Sequence, residues 1–129
     1  MSENNTSIES ERRIATVMFA DISGFTAMSK KMGPEQVTCT MNDCFCMMEE
    51  CIEQHGGTID KFIGDCVMVL FGVPKALEDA PQKAVNTAIE LRNSLYKFNG
   101  DKKLAIPLNI HIGINTGPVL AGMVGGSAK

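Results

Sequence analysis

Apolar residues run together, alternate or recur every three to four positions in different stretches of this chain, and each spacing predicts an element. Arg12 to Asp21, RRIATVMFAD, is a β-rich apolar run that stops at a carboxylate, the pattern of a buried strand. ISGFTAMSKKMG follows, with Ser23-Gly24 as punctuation and a short helical pattern up to Gly33. Pro34 suits the first turn of a helix, and Glu35 to His55 keeps helical spacing. Val37, Met41, Cys44, Phe45, Met48 and Ile52 fall on one face, with Glu49, Glu50 and Glu53 mainly off it. Gly56-Gly57 reads as the C-cap, and His55 in the last turn is placed to complement the helix dipole rather than to bind a metal.

Thr58 to Phe71, TIDKFIGDCVMVLF, holds two β-rich runs around Ile63-Gly64-Asp65, a hairpin signal with Gly and Asp at the tip. Gly72-Val73-Pro74 breaks the second run. Asp79 is expected to cap a helix from Ala80 to about Phe98, with Ala84, Val85, Ala88, Ile89, Leu95 and Phe98 on its core side. Asn99-Gly100-Asp101 is expected to close it. Pro107 to Ile114 alternates as a strand, Asn115-Thr116-Gly117-Pro118 reads as a turn, and VLAGMVGG as a short further strand. Residues 1–11 read as a disordered polar tail. The order predicts an α+β domain, helices covering one face of a mostly antiparallel sheet.

Composition narrows the function. A chain of 129 residues with 44% hydrophobic and 21% charged side chains suits one domain and is neither disordered nor fibrous. No apolar run approaches the ~18 residues that span a bilayer, and the N-terminus lacks the apolar core of a signal peptide. Both favour a cytoplasmic domain without direct membrane insertion. A net charge of −3, no basic stripe and no Trp argue against nucleic acid as a partner. Cys39, Cys44, Cys46, Cys51 and Cys66 form no CxxC pair and read as small apolar residues in a reducing compartment.

Asp21 ends one strand and Asp65 sits at a hairpin tip. If those strands are neighbours, both carboxylates emerge at one end of the sheet. Two hard oxygen ligands there suit Mg²⁺ or Mn²⁺, ions that clamp a triphosphate and activate an attacking hydroxyl. The alternative is that Asp21 caps the following turn and Asp65 is a plain hairpin residue. Ser23-Gly24-Phe25-Thr26, where strand passes to helix, offers backbone N–H groups to a phosphate, although neither GxGxxG nor a Walker loop is present. His111, Asn115, Asp60 and Asp101 read as structural or solvated residues, and the nine Met as core filler.

Three blocks carry a family resemblance: FADISGFT (Phe19 to Thr26), KFIGD (Lys61 to Asp65) and GINTGPVLAGMVGG (Gly113 to Gly126). In this order and spacing they resemble the class III nucleotidyl cyclase catalytic domain, from about Ile14 to the last residue. The resemblance implies a ferredoxin-like βαββαβ sandwich over residues 12–129 that dimerises head to tail, with nucleotide sites at the interface. It implies that Asp21 and Asp65 hold two Mg²⁺ or Mn²⁺ ions, that the Ile22 carbonyl joins one of them, and that Gly24, Phe25 and Thr26 contact the phosphates. The ribose 3′-hydroxyl would then attack the α-phosphorus, with pyrophosphate leaving.

Lys61 stands where the family's adenylyl cyclases carry Lys and its guanylyl cyclases usually carry Glu. Adenine N1 accepts a hydrogen bond and suits an ammonium, whereas the guanine edge donates and suits a carboxylate. ATP is therefore expected over GTP, and the expected activity is cyclic AMP synthesis in intracellular signalling. The family's ribose-orienting Asn and transition-state Arg would follow Lys129. The C-terminal part of the domain is thus expected to be missing, and turnover to need a homodimeric or heterodimeric partner cyclase domain that supplies those groups. Guanylyl cyclase, a non-catalytic interaction module and another two-carboxylate phosphotransferase remain as alternatives.

Overall fold

β1 (Ser10–Ser23) is the strand around which the other elements assemble in the computed structural model, which describes residues 10–122. It is followed by α1 (Phe25–Met28), α2 (Pro34–Gln54), β2 (Thr58–Ile63), β3 (Cys66–Phe71), α3 (Ala80–Asp101) and β4 (Asn109–Gly122). The described strands form one four-stranded sheet of order β2-β3-β1-β4, with every neighbouring pair antiparallel. This is the expected α+β, ferredoxin-like arrangement. Among the described residues no helix is long and apolar enough to cross a membrane.

Alternation along the strands separates two faces. Met18, Ala20 and Ile22 of β1 pair beside Val67, Val69 and Phe71 of β3 and are buried with them under α2 and α3. From the helices come Cys44, Met48 and Ile52 on α2, and Ala84, Leu91, Leu95 and Phe98 on α3. α2 ends as predicted at Gly56-Gly57. The Gly57 N–H donates to the Ile52 carbonyl at 3.0 Å, the Gly56 N–H to the Glu53 carbonyl at 3.1 Å, and Gly56 takes φ 84°. The His55 Nδ1–H donates to the Cys51 carbonyl at 2.8 Å, within that last turn.

Several predicted details are corrected. β1 begins two residues earlier than expected, inside the segment read as tail; residues 1–9 lie outside the described part. The core side of α3 is Ala84, Thr87, Leu91, Leu95 and Phe98, whereas Val85 and Ile89 are exposed. Thr87 makes this possible, because its hydroxyl donates to the Lys83 carbonyl at 2.7 Å and so can be buried without an orphaned polar atom. Thr40 enters the α2 core in the same way, through the Gln36 carbonyl at 2.8 Å. Asp79 occupies the N-cap position of α3 without a side-chain cap, and the helix runs through Asn99-Gly100 to Asp101.

The largest correction concerns Asn115-Thr116-Gly117-Pro118. Those residues do not turn but continue β4, which pairs with β1 from Ser23↔Asn109 to Ser10↔Gly122. Thr16 and Thr116 face each other with their hydroxyl oxygens 2.9 Å apart. Pro118 is tolerated because β4 is at an edge of the described sheet, where half the N–H groups point away from the neighbouring strand. The rest of the predicted short strand, from Met123 on, lies outside the described residues.

Candidate nucleotide and metal site

β1 and β3 bring Asp21 and Asp65 to one corner. The pairing ends at Asp21↔Cys66, and the next residues remain in line, with the Ile22 N–H donating to the Asp65 carbonyl at 3.1 Å. Among the described backbone bonds the reciprocal one, from the Asp65 N–H to the Ile22 carbonyl, does not form. In an extended strand a residue's carbonyl points to the same side as its N–H, so the Ile22 carbonyl faces the Asp65 turn. Gly64 reaches φ 59° there, a conformation that favours glycine, and this tight turn fixes where Asp65 leaves the hairpin. Asp21 is exposed and Asp65 half-buried. α1 starts at Gly24, which has no side chain to cap it, and the Asp21 side chain is exposed.

Two carboxylates and a carbonyl are an all-oxygen donor set, which fits Mg²⁺ or Mn²⁺. Among the described residues no cluster of three or more His, Cys, Asp or Glu side chains converges. A hard ion at this corner would therefore complete its shell with water and phosphate oxygens, as Mg²⁺ commonly does.

Gly24, Phe25 and Thr26 lie directly beside this corner, and α1 ends at Met28 instead of following the predicted helical pattern up to Gly33. α1 has only four residues, too few for a substantial helix dipole. What it offers is local: the Phe25, Thr26 and Ala27 N–H groups precede the first helical bond, which runs from the Met28 N–H to the Gly24 carbonyl at 2.9 Å. The Phe25 side chain is buried in the core, so only its backbone is available. Gly24 is required by φ 119° and by packing, since a Cβ there would sit 3.1 Å from Leu108 Cδ2.

Lys61 reaches the same face as Asp21 through an irregularity. β2 and β3 pair Ile59↔Val69 and then Lys61↔Met68, with Asp60 bulged out between them. Without that extra residue Asp60 would oppose Met68, and Lys61 would turn to the helix side. Met68 pairs in turn with Phe19, two residues before Asp21 on the face that no described helix covers. Two strand spacings across and two residues along put the Lys61 and Asp21 backbones about 12 Å apart. That is the scale of a nucleotide from base edge to phosphate. The Lys61 ammonium lies 3.5 Å from the Asp60 carboxylate, with its side chain 56% exposed, and so weak a pair releases it readily.

Two neighbours of Asp21, read from sequence as a structural histidine and a small apolar cysteine, lie closer to the site than that reading implies. Register places Cys66 on one side of it and His111 on the other. Burial pushes the Cys66 thiol up, the Asp21 carboxylate adds to this, and a backbone hydrogen bond at Ala20 acts the other way. Neither residue carries a spacing signal of its own; only the strand order reveals them.

Comparison with known proteins identifies the family and the fold. Residues 8–129 match the adenylate and guanylate cyclase catalytic domain. An adenylate cyclase of Anabaena cylindrica is 36% identical over 126 residues, 93% of this chain and 24% of the relative. The crystal structure of the adenylyl cyclase CyaB from P. aeruginosa aligns with TM-score 0.82 and 37% identity over 88% of this chain and 61% of that one. The guanylyl cyclase Cya2 aligns with TM-score 0.79 and 40% identity over 88% of this chain and 59% of that one. The chain thus spans 24% of that curated relative and 61% and 59% of the solved ones. With this match over nearly its whole length, the chain belongs to the family of class III adenylate and guanylate cyclase catalytic domains.

Proposed function

We propose that the chain contributes the metal-binding and base-reading part of an adenylyl cyclase site, which converts ATP to 3′,5′-cyclic AMP and pyrophosphate at an interface between two cyclase domains. The observation that carries this is the shared open face, with Lys61 about 12 Å from the Asp21/Asp65 corner. Asp21, Asp65 and the Ile22 carbonyl would hold two Mg²⁺ or Mn²⁺ ions. Such ions, when bound, supply charge neutralisation at the triphosphate and polarise the ribose 3′-hydroxyl. The backbone at Gly24, Phe25 and Thr26 would orient the phosphates. Lys61 would leave Asp60 and donate to adenine N1, an acceptor that guanine does not offer at that edge.

The same face supports a partner. Phe19 and Ile63 are 43% and 54% exposed beside Asp21 and Lys61, an apolar and charged mixture suited to a surface shared by ligand and second domain. Turnover is expected when this chain is mixed with a full-length homologue whose two matching aspartates are replaced by Asn, because the chain then supplies the only intact carboxylate corner.

The test measures cyclic AMP and cyclic GMP formed from ATP and GTP with Mn²⁺, by this chain alone and in that mixture. Cyclic AMP appearing only in the mixture supports the reading. Cyclic GMP as the main product would make the site a guanylyl cyclase. Silence in both, with the chain folded, would favour an interaction module that regulates another cyclase.

A further inference from the structure

We propose that Asn99 is a positioning residue for the turn Gly24–Thr26, acting through Leu108. The proposal rests on the reading above that this turn contacts the phosphates. Asn99 lies in the last turn of α3, far in sequence from the turn it would position. Its Nδ2–H donates to the Leu108 carbonyl at 3.0 Å, and its Oδ1 accepts the Leu108 N–H at 2.9 Å. Only one orientation of the amide satisfies both bonds, because the N–H can only donate and the carbonyl can only accept. The side chain thus imitates a paired strand.

It does so where the real pairing has run out. β1 and β4 end at Ser23↔Asn109, so Gly24 and Leu108 are the residues just beyond the last pair. They are in tight contact: a Cβ on Gly24 would stand 3.1 Å from Leu108 Cδ2, 3.3 Å from the Pro107 carbonyl oxygen and 3.4 Å from Leu108 Cα. Leu108 is itself buried. The Asn99 amide therefore fixes the backbone against which Gly24 rests, and Gly24 supplies the carbonyl that closes α1 onto Met28. The helix does not need this amide, since Asn is a mediocre helix former and the Asn99 backbone carbonyl already accepts the Leu104 N–H at 3.1 Å.

The test compares Asn99→Ala, Asn99→Asp and Ala84→Gly in the full chain. Ala84→Gly weakens α3 without touching the amide and controls for lost stability. Hydrogen exchange and amide NMR shifts of Phe25 to Met28 report the turn directly and need no nucleotide. The affinity for the magnesium complex of α,β-methylene-ATP reports the phosphate contact.

Asn99→Ala should speed exchange at these amides beyond the control and weaken the nucleotide about tenfold. Asn99→Asp keeps the acceptor for the Leu108 N–H, loses the donor, and should fall between. Turn amides that respond to Asn99→Ala no more than to Ala84→Gly would overturn the proposal and leave the phosphate reading intact. Amides that respond while nucleotide affinity stays unchanged would overturn the phosphate reading, and the positioning role with it.

Discussion

The two faces of the sheet are made from alternate residues of the same strands, yet they serve different ends. On the helix side Met18, Ala20, Val67, Val69 and Phe71 are sealed, and the polar groups that enter, such as Thr16, Thr40 and Thr87, are hydrogen-bonded at once. On the other side Phe19, Met68 and Cys66 are interleaved with Asp21 and Lys61, and no described helix covers them. A surface that carries apolar side chains and charges together has the mixed character of binding surfaces. One face holds the domain together, and the other is available for binding.

If that division is real, equal truncations on the two faces should differ most in stability. Phe71→Ala removes a fully buried ring that packs against Gly57 and should cost about 3–5 kcal/mol. Phe19→Ala, at 43% exposure, should cost less than about 1 kcal/mol and act on association with a second cyclase domain instead. Urea unfolding of both variants gives the difference. Similar losses would mean that the open face also belongs to the domain's own core.

The next largest effect lies at the corner. Asp21→Asn should leave stability within about 0.5 kcal/mol, since the side chain is exposed, while lowering cyclic nucleotide formation in the complemented assay by roughly 10²–10³-fold. Paramagnetic broadening by Mn²⁺ of the amides from Gly64 to Cys66 should weaken in step. Full activity in this variant would remove the metal reading of the corner. Lys61→Glu should shift the ATP-to-GTP preference by about tenfold or more towards GTP, with little change in urea midpoint because the Lys61–Asp60 pair is exposed. An unchanged preference would take base reading away from β2.

Much of this was legible because the apolar β-rich run of β1 stops abruptly at Asp21, and because Gly64-Asp65 between two β-rich runs reads as a hairpin tip. The corner follows from those two facts once the strands are neighbours. What stayed hidden depends on partners remote in sequence. The helix registers were misread where Thr40, Thr87 and Cys51 take core positions, since their burial is possible only through local hydrogen bonds or small size. Asn-Thr-Gly-Pro has turn composition, and only a fourteen-residue β1 alongside keeps it extended. The face of Lys61 was not readable at all, because it depends on a one-residue bulge at Asp60.

The smallest predicted effect tests how dry the covered face is. Cys44 and Cys51 are buried on α2, whereas Cys39 and Cys46 on the same helix are exposed. Burial pushes the Cys44 thiol up to about 11, and burial with the Glu90 carboxylate pushes Cys51 up to about 11. In the unfolded chain both ionise near about 8.5, so at high pH the unfolded state loses protons that the folded state keeps. Stability from this source is full below about pH 8.5 and declines as pH rises towards 11. The urea midpoint should therefore fall between pH 8 and pH 10.5, and fall less in Cys44→Ala. Every other ionisable group is common to both proteins and cancels in that difference. Iodoacetamide at pH 8 should label Cys39 and Cys46 and spare Cys44 and Cys51 while the chain is folded. An equal fall in both proteins, or labelling of all four thiols at one rate, would mean that water reaches the helix side as freely as the open one.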